Sequence, residues 1–118
     1  MKENITLQGL NWFDDEKASV LLYFSTSWCA PCKNMGLIID EISDLYDQHF
    51  KTIKIDVDEQ MLLAKQFDVK GVPTIILLDK FNKKSWLIGG TPAIEVKHWL
   101  NTQLNITHEQ KANLLKIK

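Results

Sequence analysis

The sequence predicts an α/β domain in which a mixed central β-sheet carries helices on both faces. Three patterns lead to this prediction: a continuous apolar run of strand length at 18–25, apolar residues recurring every three or four positions over 35–46, and an alternating segment at 52–57. Strand-like and helix-like segments therefore alternate along the chain, as they do in α/β domains. The 118 residues, of which 45% are hydrophobic, are enough for a single core.

Each element is predicted from its own signal. The run at 18–25 is apolar throughout, so we expect a central strand that is buried on both faces. The three-and-four spacing predicts a helix that continues to about His49, with Pro31 in its first turn, where a missing N–H costs nothing. The remaining predictions are a strand at 52–57, a short helix at 59–67 with Met61, Leu62, Ala64 and Phe67 facing inward, strands at 74–78 and 85–88, and an amphipathic helix at 93–104.

The two ends of the chain carry less regular patterns. Residues 3–15 predict a short strand or helical turn, and residues 105–118 predict a C-terminal tail or a short extra helix. No repeat or linker-like shift in composition interrupts the rest of the chain. We therefore predict one domain over residues 1–104.

Composition and charge exclude several classes of function. With 14 basic and 15 acidic side chains the net charge is −1, which leaves no basic field to hold nucleic acid or an anionic membrane. No apolar run approaches the roughly 20 residues needed to span a bilayer, and no export signal is visible. We therefore expect a cytoplasmic protein, and nothing in the sequence demands more than a monomer.

The two cysteines of the chain form a C-x-x-C motif, Cys29 and Cys32, between the buried strand and the first turn of the helix. Unpaired N–H groups and the helix dipole stabilise a thiolate at this end, which predicts a lowered pKa for Cys29. In such a turn the first cysteine points outward and the second lies further into the helix. We therefore expect Cys29 to attack a target disulfide and Cys32 to resolve the mixed disulfide.

The residues around this motif resemble those of the thioredoxin family. The resemblance rests on Trp28-Cys29-Ala30-Pro31-Cys32-Lys33 and on Gly71-Val72-Pro73-Thr74 about forty residues later, and it extends over about 15–104. It implies the thioredoxin fold and the reduction of disulfides in client proteins. It also implies that the Cys29–Cys32 disulfide is the redox group, with no bound cofactor or metal, and that an NADPH-dependent flavoprotein reductase restores the dithiol.

The resemblance further implies a substrate groove beside the dithiol. Pro73 matches the family's cis-proline, and the backbone of Val72 before it would be free to pair with an extended client segment. The groove is expected to be shallow and mostly apolar. Its residues would be Trp28, Ala30, Pro31, Val72, Pro73, Gly89 and Gly90.

Several positions depart from the family pattern. Where typical members have a buried aspartate that assists deprotonation of the resolving thiol, this chain has Tyr23. Lys54 matches the lysine that lies near that aspartate, and it either favours a thiolate electrostatically or is a surface residue of its strand. Ser25 stands where a tryptophan is usual and Ala30 where a glycine is usual. Both changes lie beside the dithiol, where they bear on its reduction potential.

Other interpretations of the motif are open at this point. A specialised protein with one client or an oxidising poise would fit the replacement at Tyr23, and a thioredoxin-fold adaptor would use the groove without turnover. A structural disulfide that closes so short a loop adds little stability. A zinc site would need further ligands at compatible spacing, which the three histidines do not offer: His49, His98 and His108. Three tryptophans are expected in the core or at its rim: Trp12, Trp86 and Trp99.

Overall fold

Seven strands and helices make up the part of the chain that the computed structural model describes, residues 19–79, 81 and 83–106. In chain order they are β1 (Ser19–Ser25), α1 (Ala30–Leu45), β2 (Phe50–Asp56), α2 (Met61–Gln66), β3 (Thr74–Asp79), β4 (Lys84–Ile88) and α3 (Ala93–Gln103). The predicted order of elements is confirmed over these residues. The segment predicted at 3–15, which includes Trp12, and the tail from 107 onward, which includes His108, lie outside the described residues.

The strands of the described region form a mixed sheet in the order β2-β1-β3-β4. β1 runs parallel to β2, with Ser25 opposite Asp56 at the end of the pair. β1 is antiparallel to β3, and β3 is antiparallel to β4. The mixed sheet and the central position of the first apolar run are therefore as the sequence predicted.

Helices cover both faces of this sheet, which explains why the middle of β1, residues 20–24, is hydrophobic. Successive residues of a strand point to opposite faces. Leu21 and Tyr23 accordingly pack against α1 and α3, whereas Leu22 and Phe24 pack against α2. The end of β1 that leads to the dithiol is thus fixed between two layers of helices.

The inward face of α2 differs from the prediction. Met61 and Leu62 are 68% and 74% exposed, and Leu63 is buried in their place. The buried positions around this helix are Gln60, Leu63, Ala64 and Phe67. This is the three-and-four spacing of one helix face. The prediction is confirmed for Ala64 and Phe67 and wrong for Met61 and Leu62, because four apolar residues follow one another here and leave the helical phase open.

The end of α1 also differs from the prediction. The helix ends at Leu45 and not near His49, with Tyr46 as its C-cap. The Tyr46 carbonyl accepts hydrogen bonds from the N–H groups of His49 and Phe50, at 2.8 and 3.2 Å. The chain turns at this point, so that β2 begins at Phe50, two residues before the predicted position.

A buried polar contact joins α1 to α3 at the end of the core away from the cysteines. The Tyr46 hydroxyl donates a hydrogen bond of 2.7 Å to Oδ1 of Asn101, and both residues are almost fully buried. Burial raises the pKa of Tyr46 to about 12. Of the tryptophans expected in the core or at its rim, Trp99 is partly buried against the core and Trp86 is 37% exposed at the edge strand.

Candidate active site

The two cysteines lie where β1 gives way to α1, and they form a disulfide with a Cα–Cα distance of 5.2 Å. Cys29 is the N-cap of α1, with extended backbone angles. Its Sγ accepts a hydrogen bond of 3.2 Å from the N–H of Cys32. In this oxidised state the two residues are 5% and 4% exposed, so exposure alone does not distinguish them. The helix cap does distinguish them, since it places the N–H group at the sulfur of Cys29.

Three segments that are distant in the sequence meet beside the disulfide. Pro31 occupies the first turn of α1, as predicted, and a side chain at Gly90 would reach Pro31 at 3.9 Å. The Val72–Pro73 peptide bond is cis, as the resemblance implied. The Pro73 carbonyl accepts a hydrogen bond of 2.8 Å from the N–H of Gly89. The structure therefore brings the α1 turn, the cis-proline loop and the end of β4 together.

Trp28 is 72% exposed, and its position is fixed by a residue to which the sequence analysis gave no role. The indole Nε1 donates a hydrogen bond of 3.0 Å to Oδ2 of Asp58. Asp58 is itself held after β2, because its N–H donates to Oδ1 of Asp56 at 2.8 Å. Trp28 and Val72 line one pocket of about 210 Å³, with Thr26, Val57, Asp58, Val69, Lys70 and Gly71 as its other lining residues.

Tyr23, on β1, contacts the first turn of α1, which carries the dithiol. Its hydroxyl donates a hydrogen bond of 2.6 Å to the carbonyl oxygen of Cys32. Burial raises the pKa of Tyr23, the side-chain hydrogen bond with Ser25 opposes this, and the charge of Asp40 adds to it. A phenol with a raised pKa stays protonated near neutral pH, so Tyr23 supports the first turn of α1 and does not act as a base.

Lys54 has an acidic partner that lies on a helix and not on β1. Its Nζ forms an ion pair of 2.6 Å with Oδ1 of Asp40 on α1, and both side chains are about half exposed. Lys54 and Asp40 also line a pocket of about 390 Å³ that reaches Cys32. The sequence analysis singled out Lys54 but missed Asp40, because nothing in the sequence marks this carboxylate among the acidic residues of α1.

No group of three or more His, Cys, Asp or Glu side chains that could hold a metal ion is found among residues 19–79, 81 and 83–106. His49 packs edge-on against Tyr46, at 5.9 Å between ring centroids, in the turn that follows the end of α1 opposite to the cysteines. In the same part of the chain, no helix has the length and apolar character needed to cross a membrane. The redox-active group is the Cys29–Cys32 disulfide itself, which is part of the polypeptide.

Comparisons with known proteins identify relatives of this chain. The family model described as thioredoxin matches residues 8–102. Thioredoxin 1 from Nostoc sp. is 28% identical over 90 residues, which cover 76% of this chain and 84% of the relative. The thioredoxin of Synechocystis sp. is 30% identical over 78 residues, 66% of this chain and 73% of the relative. A mutant thioredoxin from Halobacterium salinarum superposes with a TM-score of 0.69 at 26% identity, covering 77% of this chain and 79% of that one.

The matched region contains the whole described site. The family model spans most of the chain, and within it the motif cysteines lie at disulfide distance at the start of a helix. An adaptor without turnover is not favoured, because the reactive pair is intact. The chain belongs to the thioredoxin family, and it is a thiol-disulfide oxidoreductase that reduces protein disulfides.

Proposed function

We propose that Cys29 is the attacking residue and Cys32 the resolving residue in the reduction of client proteins. The Cys29 thiolate attacks one sulfur of the client disulfide, so that a Cys29–client S–S bond forms while the client S–S bond breaks, and the first client thiolate leaves and takes up a proton. The Cys32 thiolate then attacks Sγ of Cys29. This step releases the second client thiol and forms the Cys29–Cys32 disulfide, so two electrons pass from the dithiol to the client.

The helix cap at Cys29 is the observation that carries this assignment. Its Sγ accepts the N–H of Cys32 at the positive end of the α1 dipole. In the dithiol form the same donor and dipole stabilise a negative charge on Cys29, which makes it the stronger candidate for the first attack. Cys32 lies inside the first turn, where it can reach the mixed disulfide only after the client has bound to Cys29.

The proposed client groove surrounds the cap. Trp28 and Val72 line the same pocket. Pro31 lies beside Gly90, and the Pro73 carbonyl accepts a hydrogen bond from the N–H of Gly89. An extended client segment that pairs with the backbone of Val72 would lie across this surface, a form of strand addition. Together with Ala30, which is exposed in the first turn of α1, these residues form a mostly apolar surface suited to a disulfide-bearing strand.

Single-cysteine variants separate the two roles. With Cys32→Ser, insulin with intact disulfide bonds should become attached to Cys29 as a stable mixed disulfide. Mass spectrometry under non-reducing conditions would detect this adduct. With Cys29→Ser, we expect no such adduct under the same conditions. Adduct formation by Cys29→Ser alone would reverse the assignment. Failure of the wild-type protein to reduce insulin with dithiothreitol as electron donor would overturn the proposed function itself.

We further propose that the protein works as a monomer in the cytoplasm and is recharged there by an NADPH-dependent flavoprotein reductase. Each cycle leaves the protein oxidised, so it needs an electron donor, and the cytosol is a compartment in which thiols are kept reduced. Coupled assays with such a reductase, NADPH and insulin should show NADPH oxidation. Insulin reduction with dithiothreitol but not with NADPH and reductase would point to another donor. Size-exclusion chromatography and cell fractionation test the oligomeric state and the compartment.

A further inference from the structure

The pocket beside Cys32 brings charged groups from two elements close to the resolving cysteine. It is lined by Tyr23, Ser25, Thr26, Ser27, Cys32, Lys33, Gly36, Leu37, Asp40 and Lys54. The titratable side chains that face it, besides Cys32, are thus Lys33 and Asp40 on α1, Tyr23 on β1 and Lys54 on β2. Tyr23 is neutral near neutral pH, since burial raises its pKa. The charges that act on Cys32 across this pocket come from the other three side chains.

The pocket beside Cys32 also has room for water. Its volume of about 390 Å³ is enough for several water molecules. A proton leaving Cys32 therefore has solvent to accept it.

We propose that Asp40 neutralises the charge of Lys54 beside this pocket, so that neither charge alone shifts how readily Cys32 loses its proton. This inference rests on the proposed function, in which Cys32 resolves the mixed disulfide. The Cys32 thiol gives its proton to water in the pocket, and the thiolate then attacks Sγ of Cys29. The bond between Cys29 and the client breaks, and the client thiolate leaves and takes a proton from solvent.

Opposite charges at similar distances from Cys32 account for this balance. Asp40 lies about 12 Å further along α1 than Cys32, given a rise of about 1.5 Å per helical residue. Lys54 forms an ion pair with Asp40 and is therefore at a similar distance. Together their effects on the Cys32 thiolate largely cancel. Removal of the carboxylate leaves the ammonium to favour the thiolate, whereas removal of the ammonium leaves the carboxylate to disfavour it. At this distance, and with partial solvent screening, each unpaired charge should move the ionisation of Cys32 by about half a pH unit.

The experiment follows the two thiol steps separately. The reduced protein, in excess, is mixed with dithiobis(nitrobenzoic acid), and the released thionitrobenzoate is followed by absorbance in a stopped-flow instrument. The first phase reports attack by Cys29 and depends on concentration. The second phase is intramolecular and reports attack by Cys32. Its rate is measured against pH for the wild type, Asp40→Asn, Lys54→Gln and the double variant.

Opposite shifts are the expected result. The midpoint of the second-phase pH profile should fall by about half a pH unit in Asp40→Asn, rise by a similar amount in Lys54→Gln, and return near the wild-type value in the double variant. Added salt should shrink both shifts. Two charge changes outside the pocket are the matched controls and should leave the profile unchanged: Asp44→Asn on α1 and Lys65→Gln on α2.

Two outcomes would overturn the inference. Either no shift occurs in Asp40→Asn and Lys54→Gln, or both variants shift in the same direction, as a loss of local structure would cause. A wild-type protein without any concentration-independent second phase would instead contradict the assignment of Cys32 as the resolving residue.

Discussion

Tyr23 donates a hydrogen bond of 2.6 Å from its hydroxyl to the carbonyl oxygen of Cys32, and so connects the central strand to the first turn of the helix that carries the dithiol. Tyr23 is 2% exposed, which means that bulk water cannot replace this donor. The same turn has a second hydrogen bond at its start, from the N–H of Cys32 to Sγ of Cys29. A hydrogen bond that positions the dithiol segment therefore comes from a side chain that is neutral near neutral pH.

We predict that Tyr23→Phe lowers the free energy of unfolding by about 1 kcal/mol, because it removes the buried hydrogen bond to Cys32, together with the side-chain hydrogen bond with Ser25, and keeps the ring in place. The thermal midpoint should fall by roughly 4 °C, measured by circular dichroism on the oxidised protein. Ser27→Ala removes an exposed hydroxyl from the same segment and should change the midpoint by much less. Equal stability of Tyr23→Phe and the wild type would show that the bond contributes nothing.

A second prediction concerns the contact of Tyr46 with Asn101. Nδ2 of Asn101 already lacks a hydrogen-bond partner among the described residues. Tyr46→Phe would leave Oδ1 without its donor as well, so we expect a loss of about 1–3 kcal/mol in the free energy of unfolding by urea. Tyr46→Phe combined with Asn101→Leu removes both polar partners and should recover part of this loss. No recovery in the double variant would indicate that the hydrogen bond is not the source of the effect.

The pH dependence of this contact follows from the same burial. The pKa of Tyr46 is raised to about 12 from an ordinary value of 10.0. A folded-state pKa above the unfolded value means that the stabilisation is fully present below about pH 10 and is lost as the pH rises toward 12. Wild-type stability should therefore fall over this alkaline range, and the fall should be smaller in Tyr46→Phe. Urea titrations at several alkaline pH values would check this, and equal slopes in both proteins would contradict it.

Local patterns were sufficient to predict the parts of the structure that depend on neighbours in sequence. The apolar run of β1 predicts a strand covered on both faces, and the three-and-four spacing over 35–46 predicts the helix that follows it. Pro31 fits the first helical turn for a reason contained in its own backbone. The cis bond before Pro73 followed from resemblance and not from a physical argument on the residues.

Contacts between distant segments could not be predicted in the same way. The acidic partner of Lys54 is Asp40, and the partner of the Trp28 indole is Asp58. Both contacts depend on how α1 and the end of β2 are placed on the sheet. From the sequence alone, several other acidic residues could equally well be the partners. The predicted inward face of α2 was partly wrong for a related reason. Consecutive apolar residues leave the helical phase undetermined until the helix packs against the sheet.

The phase of α2 leads to a fourth prediction, which compares two adjacent leucines. Leu63 is 1% exposed and packs in the core between α2 and the sheet, whereas Leu62 is 74% exposed. We expect Leu63→Ala to lower the free energy of unfolding by about 2–5 kcal/mol, because it leaves a cavity in a packed core. Leu62→Ala should stay within about 0.5 kcal/mol of the wild type. Urea denaturation measures both, and similar losses in the two variants would mean that the helix has the other phase.

The last prediction concerns Gly89, which joins β4 to the proposed groove with a backbone φ of 91°. Its N–H donates to the carbonyl of Pro73 at 2.8 Å, so the backbone there cannot relax without disturbing the cis-proline loop. A methyl group added at this glycine would meet no atom of the described residues within 4 Å, and the same holds for Gly71, which lacks the positive φ. Any difference between the two alanine variants therefore reports backbone conformation alone.

We expect Gly89→Ala to lower the free energy of unfolding by about 1–2 kcal/mol, since side chains strain a backbone with positive φ. Gly71→Ala should be neutral or slightly stabilising, because it restricts the unfolded chain without straining the fold. Gly89→Asn should lose less than Gly89→Ala, as asparagine tolerates positive φ better than other side chains. If the alanine variants at 89 and 71 unfold at the same urea concentration, the strain at Gly89 does not exist, and the proposed groove does not depend on a glycine at this position.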